Sequence, residues 1–140
     1  MKFFNRLASH PSYGLLVLRL AVGLIFIIHG VLKWQVWSAT PGPQMSANML
    51  NLMKFLSVVE PLGGLALLFG FLTQLAAAGL ALIMIGAIYM KLYVWHFGFI
   101  SQTTIGAEFD VVLLAANICL FVCGGGVIAV DHFFMKKHHQ

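Results

Sequence analysis

Arg19, His29, Lys33, Glu60, Lys91, Glu108 and Asp110 stand inside or at the ends of otherwise apolar runs. An ionised side chain within hydrocarbon costs at least ~2.5–3.5 kcal/mol unless it finds a partner or water, so each needs a reason to be there. Their types suit proton and anion chemistry. Glu60 and His29 are flanked by apolar neighbours and can exchange protons, His29 near neutral pH. They are the candidate catalytic pair. Arg19, Lys33 and Lys91 can hold an anion or a polarised oxygen, and with Tyr89, Glu108 and Asp110 they form the candidate ligand-binding set. Each also has a plain structural role open to it. Lysines near helix ends snorkel to the interface. Glu108 and Asp110 suit the positive end of a helix dipole. Glu60 and His29 can form an ion pair that only fixes packing, and Arg19 can reach headgroups or Asp131 at the inner end.

The elements that must position these groups are helices. Apolar stretches at residues 13–34, 53–72, 75–95 and 110–130 each approach the ~20 residues that cross a hydrocarbon core. With 61% hydrophobic and 9% charged residues, the chain cannot cover itself with polar surface in water. The pattern predicts an all-α protein, a left-handed bundle of four transmembrane helices forming one domain over residues 1–140. Lys2 and Arg6 before the first span, and Lys136 and Lys137 after the last, predict that both termini are cytoplasmic. Arg19 interrupts any signal-peptide core, so the first span is expected to be retained. The longer connections, about 35–52 and 96–107, then lie outside, with residues 45–55 able to restart as interfacial helix. Antiparallel threading carries Lys33, Lys54 and Lys91 to the level of Glu60, Glu108 and Asp110, with His29 beside them. Arg19 lies fourteen residues before Lys33, about 21 Å away along a helix.

Other features are chiefly architectural. Gly23 and Gly30, Gly63 and Gly70, and Gly79 and Gly86 recur at seven residues, predicting close helix packing. Pro61 either kinks its helix, freeing the carbonyl of Ser57, or marks the first turn of the span. Asp110 and Asn117 share a face that looks inward, where Asn117 can bond between helices. Trp34, Trp37 and Trp95 gather on the outer side as an aromatic belt, or line the mouth of a ligand site. Cys119 and Cys123 read as two small buried side chains rather than a reactive dithiol. Gly124-Gly125-Gly126 lacks the frame of a phosphate loop and is expected to end or loosen the helix. His29 and His96 lack the spacing of a haem pair, and there is no haem, flavin or metal motif.

Arg19-x3-Gly23-x2-Phe26-x2-His29-Gly30-x2-Lys33, Val59-Glu60-Pro61-Leu62-Gly63-Gly64, Gly70-Phe71-Leu72-Thr73, Gly86-Ala87-Ile88-Tyr89 and Glu108-Phe109-Asp110 together resemble the DoxX family of small four-helix membrane proteins. Gly124–Gly126 with Val130-Asp131 closes the pattern, which runs from about Gly14 to Asp131. The resemblance implies a subunit or partner of a membrane oxidoreductase system. One branch of the family is similar to the small subunit of a thiosulfate:quinone oxidoreductase, and another accompanies a membrane complex handling thiol and superoxide stress. The expected function is a redox-associated protein of the bacterial plasma membrane, holding a quinone or a small sulfur oxyanion in the outer half of the bundle. The alternatives are a non-enzymatic membrane scaffold or, as an oligomer, a small-anion transporter. Expected partners are the lipid bilayer, another redox protein and a second copy of the chain. Scattered basic residues argue against nucleic acid.

Overall fold

The computed structural model describes residues 11–43, 45–100 and 106–131. Within them, helix α1 (Pro11–Leu32) continues as a 3-10 turn over Lys33–Trp37. Helix α2 (Ala47–Phe69) begins at Ser46, whose hydroxyl accepts the amide of Met49. Helix α3 (Thr73–Tyr89) continues as a π turn over Met90–Val94, and helix α4 spans Ala107–Cys123. Successive helices run antiparallel. Their shared core contains Val22, Phe26, Leu67, Ala77, Leu80, Met84, Leu113 and Leu120. We call the end bearing residues 33–43 and 90–100 the loop end, and the other the termini end.

Polarity is distributed inside out. Arg19, Ser57, Glu60, Thr73, Asp110 and Asn117 are buried, while Val17, Leu62, Leu75, Leu82, Val112 and Val122 face outward. Ser12–Trp37, Ala47–Phe69 and Thr73–Val94 are long and apolar enough to cross a membrane. This is a membrane protein, because only lipid tolerates such an exterior. Helix α4 has 17 residues, about 25 Å of helix.

Three boundaries differ from the sequence expectation. Helix α2 begins at Ala47, so the turns expected as a separate interfacial piece belong to it. It also runs unbroken through Pro61, which is neither a first turn nor an unwound one. Helix α4 starts at Ala107 and stops at Cys123 rather than Val130. Gly124 and Gly126 adopt positive φ there, and the chain folds back toward Ser12, Phe69 and Gly70.

Glycine brings α1 and α2 together. A Cβ on Gly23 would stand 2.8 Å from the Gly64 carbonyl oxygen, and one on Gly30 would overlap the Pro61 ring. Gly63 likewise fits beneath Leu80. Gly79 and Gly86 do not continue the series: both are exposed, with open space where a Cβ would go. Gly70 ends α2 in the left-handed conformation, φ 67°, its amide and that of Phe71 returning to the last turn in a Schellman arrangement.

Candidate functional site

The expected charge cluster forms at the loop end as two separate ion pairs. Lys33, one residue past α1, meets Glu60 of α2; the Glu60 side chain is 2% exposed and that of Lys33 26%. Lys91, in the π turn after α3, lies 2.7 Å from Asp110 of α4 and donates to the Gly106 carbonyl. Each pair therefore joins two consecutive helices. Burial makes both costly to break, because a lone charge left in hydrocarbon is uncompensated.

Two indoles bond to Ser57, three residues before Glu60. Pro61 has no N–H, so the Ser57 carbonyl one turn earlier lacks its helical donor. The Trp34 indole N–H supplies one at 3.0 Å. The Trp37 N–H donates to the Ser57 hydroxyl, which itself donates to the Lys54 carbonyl. Lys54 sits over the Trp37 ring, 5.7 Å from its centroid. Lys54 was expected opposite the acids; a cation–π contact takes it instead.

The other expected residues divide. His29 is half-buried, its Nδ1 2.9 Å from the Ile25 carbonyl and its ring stacked on Phe109 at 5.8 Å. It thus links α1 to α4 next to Asp110, without joining the Lys33–Glu60 pair by a hydrogen bond. Glu108 opens α4, but its Oε2 is buried with no hydrogen-bond partner among the described residues. Tyr89 is 58% exposed and packs on Tyr93, outside the bundle rather than lining it. Arg19 lies at the termini end, away from this cluster, donating from Nη2 to the Ile128 carbonyl at 3.2 Å. Asn117 donates to Leu113 within its own helix, not across to another. Cys119 and Cys123 are free and exposed, contrary to the buried role expected of them.

Sequence reasoning left out Ser57 as a site residue and gave Trp34 and Trp37 no definite partner. Pro61 was the available signal, since it strips Ser57 of its donor. It also missed a cavity of about 800 Å³ at the termini end, lined by Leu15, Phe71, Thr73, Gly124, Gly125 and Asp131 among others. There the Asp131 carboxylate accepts the amides of Leu72 (2.6 Å) and Thr73 (2.9 Å), capping α3.

The DoxX family model matches residues 14–96, which hold Arg19, His29, Lys33, Glu60, Tyr89 and Lys91 but not Glu108 or Asp110. A Bacillus subtilis (strain 168) protein bearing the name "Putative oxidoreductase CatD" is 34% identical over 125 residues, covering 88% of each chain. No solved structure matches.

Proposed function

The chain belongs to the DoxX family, and we propose that it is an integral membrane component of a redox system that holds a small polar or quinone-like ligand at the loop end. In this proposal all four helices span a bacterial plasma membrane as a left-handed bundle, both termini are cytoplasmic, and the loop end faces outward. The similarity to a protein named as an oxidoreductase supports the redox assignment.

The buried Lys33–Glu60 pair carries the proposal. A bundle held together by Gly23, Gly64 and Gly30 against Pro61 needs no ion pair to bring α1 and α2 into contact. Charges kept in such a place at this cost point to a ligand or a proton path. Lys33 is the more accessible partner, so a ligand reaches Glu60 by displacing the Lys33 ammonium. Lys33 then donates to a quinone carbonyl or a sulfur oxyanion, and Trp34 and Trp37 present flat apolar faces beside it. A quinone, when bound, would supply the electron-accepting chemistry. Glu60 would hold or release the proton, and His29 on Phe109 would relay one between α1 and α4. Asp110, Lys91 and Glu108 would shape the α3–α4 side of the same mouth.

Titration calorimetry of the purified protein with a short-chain ubiquinone and with thiosulfate tests this. One of the two should bind wild type and be weakened at least about tenfold, a loss of ~1.4 kcal/mol, by Glu60→Gln or His29→Ala. Absence of binding, or binding indifferent to both changes, overturns it. One observation favours a non-enzymatic role: each ion pair joins consecutive helices, which is what a scaffold docking another redox protein would also require.

A further inference from the structure

One nitrogen of the His29 ring is already engaged, which fixes the role of the other. Nδ1 lies 2.9 Å from the Ile25 carbonyl, one turn earlier in α1. A carbonyl oxygen only accepts, so Nδ1 must carry the hydrogen, and in the neutral ring Nε2 then holds a lone pair. Nε2 makes no hydrogen bond among the described residues, and it is not among the polar atoms closed off from the surroundings. His29 therefore presents an acceptor, oriented by the Ile25 carbonyl and by the stack on Phe109.

The ring stands at a seam. Helix α1 packs chiefly on α2, and α3 chiefly on α4, whereas α1 and α4 touch far less. Each ion pair also stays within its own hairpin, Lys33–Glu60 in the first and Lys91–Asp110 in the second. His29 on Phe109 crosses from one hairpin to the other, so the α1–α4 side of the loop end gives access to Nε2.

The charges around this ring disfavour an anion. Lys33, one turn further along α1, is committed to Glu60, and Lys91 to Asp110. Glu108 and Asp110 flank Phe109 in α4, and the buried Glu108 Oε2 has no hydrogen-bond partner among the described residues. A fully deprotonated sulfur oxyanion offers Nε2 only further lone pairs, and it meets carboxylates beside the ring. An oxidised quinone likewise offers only carbonyl acceptors. A hydroquinone brings the donor that Nε2 lacks, and its oxygens still accept from Lys33.

Given a ligand at the loop end, we propose that His29 Nε2 accepts a hydroxyl from it, so that the site holds the reduced, hydroxyl-bearing form of a quinone-like molecule in preference to the oxidised form. The Ile25 carbonyl is the positioning group, because it keeps the hydrogen on Nδ1.

Nitrogen-15 NMR of histidine-labelled protein in detergent reads the tautomer without any ligand, with His29→Phe assigning the signal. His29 should show a protonated Nδ1 and a bare Nε2. Calorimetry under argon then compares the reduced and oxidised forms of one short-chain ubiquinone. Wild type should bind the reduced form about tenfold more tightly, the weight of one hydrogen bond to an otherwise unpaired acceptor. His29→Phe keeps an aromatic ring against Phe109 and should erase that preference. Glu60→Gln should weaken both forms and keep the preference, because it leaves Nε2 untouched. A hydrogen on Nε2 in place of Nδ1, equal binding of the two forms, or an unchanged preference in folded His29→Phe overturns the proposal and leaves the loop-end site standing. Binding of neither form overturns the loop-end site itself, and this proposal with it.

Discussion

Trp34 replaces a hydrogen bond that Pro61 forbids. If its indole serves mainly to satisfy the Ser57 carbonyl, Trp34→Phe should destabilise by about 1–3 kcal/mol, the cost of an orphaned buried acceptor. In a Pro61→Ala background, residue 61 regains an N–H for Ser57, and the same change should cost clearly less. A double-mutant cycle on unfolding in detergent measures the difference, and additivity would refute the exchange. Lys33 and Glu60 allow a similar separation of roles. Removing either partner alone should cost about 3–5 kcal/mol, whereas Lys33→Met with Glu60→Leu should restore most of that stability. If the pair serves only packing, the double variant keeps whatever ligand binding wild type has; if it serves a ligand, stability returns without binding. The burial of Glu60 was legible from its apolar neighbours. Antiparallel threading also placed Lys33 among its candidate partners, and the structure selects Lys33 over Lys91 and His29; the 3-10 turn over residues 33–37 that carries Lys33 was not legible from spacing.

Helix packing shows how far a repeat can be trusted. Gly23 and Gly30 share a face, as do Gly79 and Gly86, yet only the first pair meets another helix. Spacing identifies a face but not what that face meets. Gly30→Ala should therefore overpack the α1–α2 seam against Pro61 and destabilise by about 1–3 kcal/mol. Gly79→Ala and Gly86→Ala, with open space beyond, should instead stabilise α3 by up to ~1 kcal/mol through helix propensity. Thermal unfolding in one detergent compares all three. Loss of stability at Gly79 or Gly86 would mean that this face packs against something else. The end of α4 was misplaced for a related reason: residues 127–130 are apolar enough to continue a helix, but Gly124 and Gly126 turn the chain first.

Antiparallel threading was readable from four apolar stretches, and it correctly brought acids and lysines to one end. It could not assign them to pairs, nor foresee the cavity, whose walls come from residues 12–15, 71–75 and 123–131. Those segments are distant in the chain, so no local pattern announces their meeting. Orientation is open to a direct test. In a variant whose Cys119 and Cys123 are replaced by alanine, a thiol at Gly42 should react with an impermeant reagent in intact cells. One placed near Lys137 should react only after lysis, as the flanking lysines require. The opposite pattern inverts the molecule and moves the loop-end cluster to the cytoplasm.

Asp131 adds an order of events. The first amides of α3 find their acceptor 58 and 59 residues later in the chain, and the Phe69 and Gly70 carbonyls receive Val130 and Asp131. During synthesis the α2–α3 hairpin must therefore emerge with these groups unsatisfied, dependent on water or the insertion machinery until Val130 and Asp131 arrive. This latch closes only after the fourth helix has been made. A nascent chain arrested after Cys123 should hold all its helices and still be open to proteolysis at the Gly70–Thr73 turn.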